Sequence, residues 1–139
     1  MCVEHSLVVP GEFEHLAKIA DFIDQVGREA GFDEDVIFHV QMAVDEACSN
    51  IIEHAYGSDK RGDILLHCKC QGGEWVVTLK DSGQAFDPTK VPTPKLGADL
   101  DEIQAGGLGL YFMRQLMDEV HFTFDRELGN ELRMVKREA

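Results

Sequence analysis

Glu46-Ala-Cys-Ser-Asn50-Ile-Ile-Glu-His54 decides how this chain reads. At about 100° per residue of α-helix, Glu46, Asn50 and His54 fall one turn apart on a narrow stripe. The stripe borders an apolar arc made by Val36, Val40, Ala43, Val44, Ala47 and Ile51. Polar groups at the edge of a buried face can line a pocket between a helical layer and solvent. A carboxylate there can accept a proton, and an amide oxygen one turn away can ligate Mg²⁺, which takes hard oxygen ligands. Taken alone, the stripe is also what an ordinary amphipathic helix with exposed Glu and Asn would show.

The elements around it follow from spacing and punctuation. Asp33 is a good amino-terminal cap for this helix, which should run to about Tyr56 before Gly57-Ser58 stops it. Upstream, residues 3–9 read as a strand ended by Pro10-Gly11. A helix from about Glu12 to Glu29 follows, with Phe13, Leu16, Ile19, Ala20, Ile23 and Val26 at helical spacing and Gly31 closing it. Downstream, strands near 62–70 and 74–81 are joined by Gly72-Gly73, a hairpin signal. Trp75, Val77 and Leu79 share one face of the second strand, and Asp81 continues that face.

From Gln84 to Ala105 the periodicity disappears, and Pro88, Pro92 and Pro94 mark a long loop with one helical turn near 99–103. A helix returns at about 108–117. Strands near 120–125 and 131–136 close the chain around a turn at Gly129-Asn130. The order of elements predicts an α+β fold: a two-layer sandwich with helices on one face of a mixed, mostly antiparallel sheet.

Two further segments carry chemistry. Asp81-Ser-Gly83-Gln-Ala-Phe86 puts a carboxylate at a strand end, aimed toward the covered face. Such a group needs a donor partner, and the exocyclic amine of a purine would serve; Gly83 would let backbone approach a flat ring. A simple Asp-x-Gly turn explains the same residues. Gly106-Gly107-Leu108-Gly109-Leu110 precedes an apolar helix, where exposed N–H groups could bind an anion. It is neither a Walker A loop nor a dinucleotide fingerprint, since no Gly-Lys-Ser/Thr follows and no strand leads into it. Glycines also end flexible loops.

In this order the three segments resemble the N box and the two glycine boxes of the GHKL superfamily, whose Bergerat-type ATP-binding fold is shared by DNA gyrase, histidine kinases and MutL. The resemblance runs from Val3 to Lys136 and makes the stretch at about 84–105 the ATP lid of a single domain spanning 1–139. A domain of this size, carrying Gly-Leu-Gly-Leu-Tyr-Phe-Met-Arg-Gln-Leu-Met-Asp-Glu-Val from Gly107, is similar to the anti-sigma factor serine/threonine kinases of the RsbW and SpoIIAB type. The other branches need extra domains or a helical segment bearing a phospho-acceptor histidine.

The resemblance implies ATP and Mg²⁺ as cofactors. It makes Glu46 the general base and Asn50 the Mg²⁺ ligand, and sets Asp81 against the adenine amine with Gly83 beside the ring. Gly107 and Gly109 would hold phosphates through backbone amides; His54, Phe86, Gly106, Leu108 and Leu110 complete the implied nucleotide site. The implied partners are a STAS-domain anti-anti-sigma protein, phosphorylated on Ser or Thr, and a sigma factor; relatives of this type form homodimers. The lid departs from the pattern in being proline-rich, with few lysines (Lys90 and Lys95). A non-catalytic, nucleotide-dependent antagonist and an isolated histidine kinase ATPase domain are the competing readings.

Composition bounds these readings. With 139 residues and 44% hydrophobic content, the chain can build one real core. A formal charge of −13 argues against a nonspecific nucleic-acid surface and leaves room for a basic partner. No apolar run approaches the roughly 18 residues a membrane span needs. No secretory signal is visible, so the expected compartment is the cytoplasm. Cys68 and Cys70 fall on the apolar face of their strand, and with Cys2 and Cys48 they make no zinc spacing.

Overall fold

The computed structural model describes residues 2–56, 62–81, 113–125 and 129–138. Its elements run β1 (Cys2–Pro10), α1 (Leu16–Ala30), α2 (Glu34–Asn50), β2 (Asp63–Gln71), β3 (Glu74–Asp81), β4 (Glu119–Asp125) and β5 (Gly129–Arg137). The strands form one five-stranded sheet in the order β1-β2-β3-β5-β4. Every pairing among the described residues is antiparallel, so the parallel component expected of a mixed sheet is absent from them.

The helices begin and end where local chemistry directs. Residues Phe13–His15 form a single 3₁₀ turn before α1, so the α-helix proper starts later than the apolar spacing suggests. Gly31 ends α1 in the left-handed conformation (φ 84°), its N–H donating to the carbonyls of Gly27 and Arg28. Asp33 caps α2, its carboxylate accepting from the Val36 N–H at 2.9 Å. The hairpin between β2 and β3 turns at Gly72 and Gly73, with φ 61° and 76°, values that side-chain-bearing residues avoid.

One face of the sheet is dry. Val3 and Val9 of β1, Ile64, Leu66, Cys68 and Cys70 of β2, Trp75, Val77 and Leu79 of β3, and Leu132 and Met134 of β5 pack in a single core with the buried residues of α1 and α2. The cysteines are core residues as their pattern predicts. Burial pushes the Cys68 thiol up to about 11 and the Cys70 thiol up to about 12, so both stay protonated at neutral pH. No helix among the described residues is long and apolar enough to cross a membrane.

Two local expectations are corrected. The second helix does not continue regularly to Tyr56: after Asn50 the chain widens into a π-helical turn over Ile51–Tyr56. Wider winding breaks the regular 100° spacing after Asn50. Gly129 and Asn130 are not a turn but the first residues of β5, paired with Asp125 and Phe124. Gly129 opens the strand at φ 88°.

Candidate functional site

β3 starts in the core at Trp75 and emerges at Asp81, which remains only 7% exposed. Asp81 is the one charged residue buried among those described. A carboxylate so placed costs free energy unless donors meet it. The antiparallel register sets Asn130 of β5 directly opposite, and its Nδ2 donates to Asp81 Oδ1 at 2.9 Å. This bond fixes the orientation of the carboxylate at the sheet end.

Above it lies an open recess of about 480 Å³, open solvent included. Ala47, Asn50 and Ile51 wall it on the helical side, and Met113 closes one flank. Asp81, Asn130, Leu132, Phe122, Thr123 and Glu131 supply the sheet side. Residues 113–116 are helical, and the Leu116 carbonyl accepts from Lys136 Nζ at 2.6 Å, tying this short helix to β5. The chamber is apolar-walled, with an oriented carboxylate in its floor and an amide on its rim. A flat heteroaromatic ring with an exocyclic amine matches that combination, because the wall buries its faces and Asp81 accepts its N–H.

Glu46 sits on α2 one turn before Asn50, half-buried and outside the lining of the recess. Its carboxyl titrates above the ordinary glutamate range, first because burial strips water from it and then because Asp45 and Glu53 repel its charge. A carboxylate made more basic in this way is a better proton acceptor. The donor set also fits a magnesium ion held mainly by phosphate and water oxygens, since such a site needs only one or two protein oxygens and Asn50 offers one.

Of the residues expected from the sequence, Asn50 and Asp81 meet in this recess and Glu46 stands beside it on the same helix. The side chain of His54 lies outside the described residues, as do Gly83, Phe86, Gly106, Gly107, Leu108, Gly109, Leu110 and the stretch 84–105. The sequence did not single out Asn130, Met113, Phe122 or Leu132. Asn130 becomes legible only through the β3–β5 register, a pairing between strands 49 residues apart at this point.

Comparison with known proteins adds an independent line. Residues 9–136 match the family described as histidine kinase-like ATPase domain. A serine-protein kinase RsbW of Bacillus subtilis is 34% identical over 117 residues, covering 81% of this chain and 72% of that protein. One from Listeria innocua is 27% identical, covering 86% of this chain and 79% of its own. Among solved structures, the RsbU and RsbW domains of a Mycobacterium tuberculosis protein superpose with a TM-score of 0.69 at 17% identity. That likeness concerns the fold alone: it covers 96% of this chain and 32% of the other.

Proposed function

This chain belongs to the histidine kinase-like ATPase domain family, and on that premise we propose that it is an ATP-binding serine/threonine protein kinase and anti-sigma regulatory factor. Its substrate in this reading is a hydroxyl on a STAS-domain anti-anti-sigma protein. The observation that carries the nucleotide half is the buried Asp81 carboxylate, oriented by Asn130 in a recess whose rim bears Asn50. Kinship with serine-protein kinases supports the transfer half.

Mg-ATP, when bound, supplies the phosphoryl group and the metal charge that offsets the developing negative charge. The chain's own residues do the rest. Asp81 accepts the hydrogen bond of the purine amine and so fixes the base, while Ala47, Ile51, Met113 and Leu132 keep water from its faces. Asn50 offers its amide oxygen to the metal. Glu46, one turn away, would accept the proton of the attacking hydroxyl as that oxygen bonds to the γ-phosphorus and the bond from that phosphorus to ADP breaks, ADP leaving. Backbone amides at Gly107 and Gly109 would cradle the phosphates. Positioning and charge neutralisation supply most of the acceleration in such reactions, so one base, one metal ligand and an amide cradle suffice.

The test separates binding from transfer. Glu46→Gln should keep the thermal shift given by ADP while lowering phosphate transfer from labelled Mg-ATP to a serine of the STAS partner by about 10²- to 10⁴-fold. Transfer at the parent rate would remove Glu46 from the role of base. Absence of any thermal shift at ligand concentrations far above a micromolar affinity would remove the nucleotide itself.

A further inference from the structure

The charge of this protein is not spread evenly. Residues 12–53, which contain α1 and α2, hold eleven carboxylates (Glu12, Glu14, Asp21, Asp24, Glu29, Asp33, Glu34, Asp35, Asp45, Glu46, Glu53) against two cations (Lys18, Arg28), a net −9 of the total −13. The strands β2, β3 and β5 instead bring Lys69, Lys80, Arg133 and Arg137 among their acids. Amid the acidic layer, α2 exposes two large apolar side chains one turn apart, Phe38 at 57% and Met42 at 42%. They are not needed by the core, which α2 reaches through Ile37, Val40, Ala43, Val44, Ala47 and Cys48 on its opposite side.

Spacing makes these residues one surface. Asp35, Phe38, Met42 and Asp45 follow one another at intervals of three, four and three, so they form a straight stripe along the solvent side of α2. The stripe is an apolar centre with a carboxylate at each end, the two acids about 15 Å apart at the helical rise per residue. We propose that this crest of α2 is a docking surface for a basic amphipathic helix of another protein. Such a helix would lay apolar side chains on Phe38 and Met42 and set lysine or arginine against Asp35 and Asp45.

Charge selects that occupant over the others. A second copy meeting the crest face to face would bring two strongly acidic layers together, a juxtaposition that costs free energy. Nucleic acid and anionic lipid are repelled by the same field. A cationic helix gains steering from the field and desolvated contact from the two apolar anchors. The surface needs no nucleotide, and its test does not depend on the kinase reading.

The chain has five methionines (Met1, Met42, Met113, Met117, Met134), and Met113, Met117 and Met134 are buried at 1%, 4% and 0% exposure. Selective ¹³C-methyl labelling of methionine therefore gives the crest its own resonance. The full chain is titrated with a synthetic helical peptide of roughly 18 residues, patterned with leucine on one face and lysine on the other. The Met42 methyl should shift while the three buried methyls stay still, and binding should weaken as salt rises. Phe38→Ser and Asp45→Lys should each weaken the peptide's affinity about tenfold or more. The proposal is overturned if the peptide fails to bind, if it binds without moving Met42, or if both variants bind as the parent does. It is equally overturned if a glutamate-leucine peptide of the same pattern binds as well, or if the Met42 methyl shifts with protein concentration alone, which would make a second copy the occupant.

Discussion

The two ends of β3 differ in what they do with space. At its start, Trp75 is fully buried, stacked on Phe32 with ring centroids 5.2 Å apart. Gly27 presses against it so closely that a Cβ there would come within 2.9 Å of the indole ring and 2.6 Å of Ile37 Cγ1. At its far end, Asp81 stands in an open recess with Asn50 and Met113 across from it. A recess of similar volume, about 470 Å³, also lies at the Trp75 end, among Val3, Phe32, Cys70 and the Gly72-Gly73 turn. The presence of a recess therefore does not separate the two ends. A buried, oriented carboxylate does: one end of the strand is packed against α1 and Phe32, and the other holds a charge out of water.

The largest effect expected from breaking this division is at the packed end. Trp75→Ala removes the side chain that α1, Phe32 and Ile37 close around, and large-to-small changes of this kind cost about 3–5 kcal/mol. Urea unfolding should show the midpoint collapse with the loss spread over the whole molecule, because this residue belongs to its single core. A small change in stability would mean that the packed end is not where the fold is secured.

The opposite substitution touches recognition and leaves the fold standing. Asp81→Asn keeps the shape at the recess floor and removes the charge. A hydrogen bond to a charged group is worth about 1.5–3 kcal/mol, so ADP affinity should fall by roughly ten- to a hundredfold. Calorimetry on the free and ligand-saturated variant checks both halves: weak binding with a near-parent melting temperature of the free form. Parent-like affinity would mean that Asp81 does not read the base.

How much of this division the sequence carries depends on how local each signal is. The Gly72-Gly73 turn, the Asp33 cap, the Gly31 stop and the alternation that buries Cys68, Trp75 and Asp81 all follow from neighbours a few residues apart. Each was legible. The wider turn after Asn50 was not, because Ile51-Ile-Glu-His-Ala-Tyr56 fits a regular helix equally well by propensity. Nor was Asn130, whose partner is fixed by pairing between distant strands. Glycine before it suggests a turn, whereas the sheet uses Gly129 to begin a strand. Half of the candidate site was therefore readable on α2 and β3, and the residue that aims the carboxylate was hidden in topology.

A smaller effect probes how tightly the packed end is built. Gly27→Ala adds one methyl where the nearest atoms belong to a rigid indole and a β-branched side chain, neither of which can swing aside. Alanine's better helix propensity, worth about 1 kcal/mol, works in the opposite direction. Overpacking costs about 1–3 kcal/mol, so a net destabilisation should remain, read as a lower denaturation midpoint. A stabilised variant would show that α1 can shift off the sheet, and that this end is looser than the contacts imply.

The smallest effect returns to the functional end and concerns only charge. Glu46 titrates high through burial first and through Asp45 and Glu53 second. Because its folded value is raised above the unfolded one, its contribution to stability is fully present below the unfolded value and is lost as pH rises through the folded one. Once ionised, Glu46 is therefore a slight burden on the fold. Asp45→Asn removes one repelling charge without touching the recess, so Glu46 should titrate lower. The acidic limb of the transfer rate should then move to lower pH, since a base must be deprotonated to act. A carboxyl-carbon NMR titration of Glu46 reads the shift directly. An unchanged titration would take Asp45 out of the causes and leave burial and Glu53 to hold the Glu46 carboxyl high.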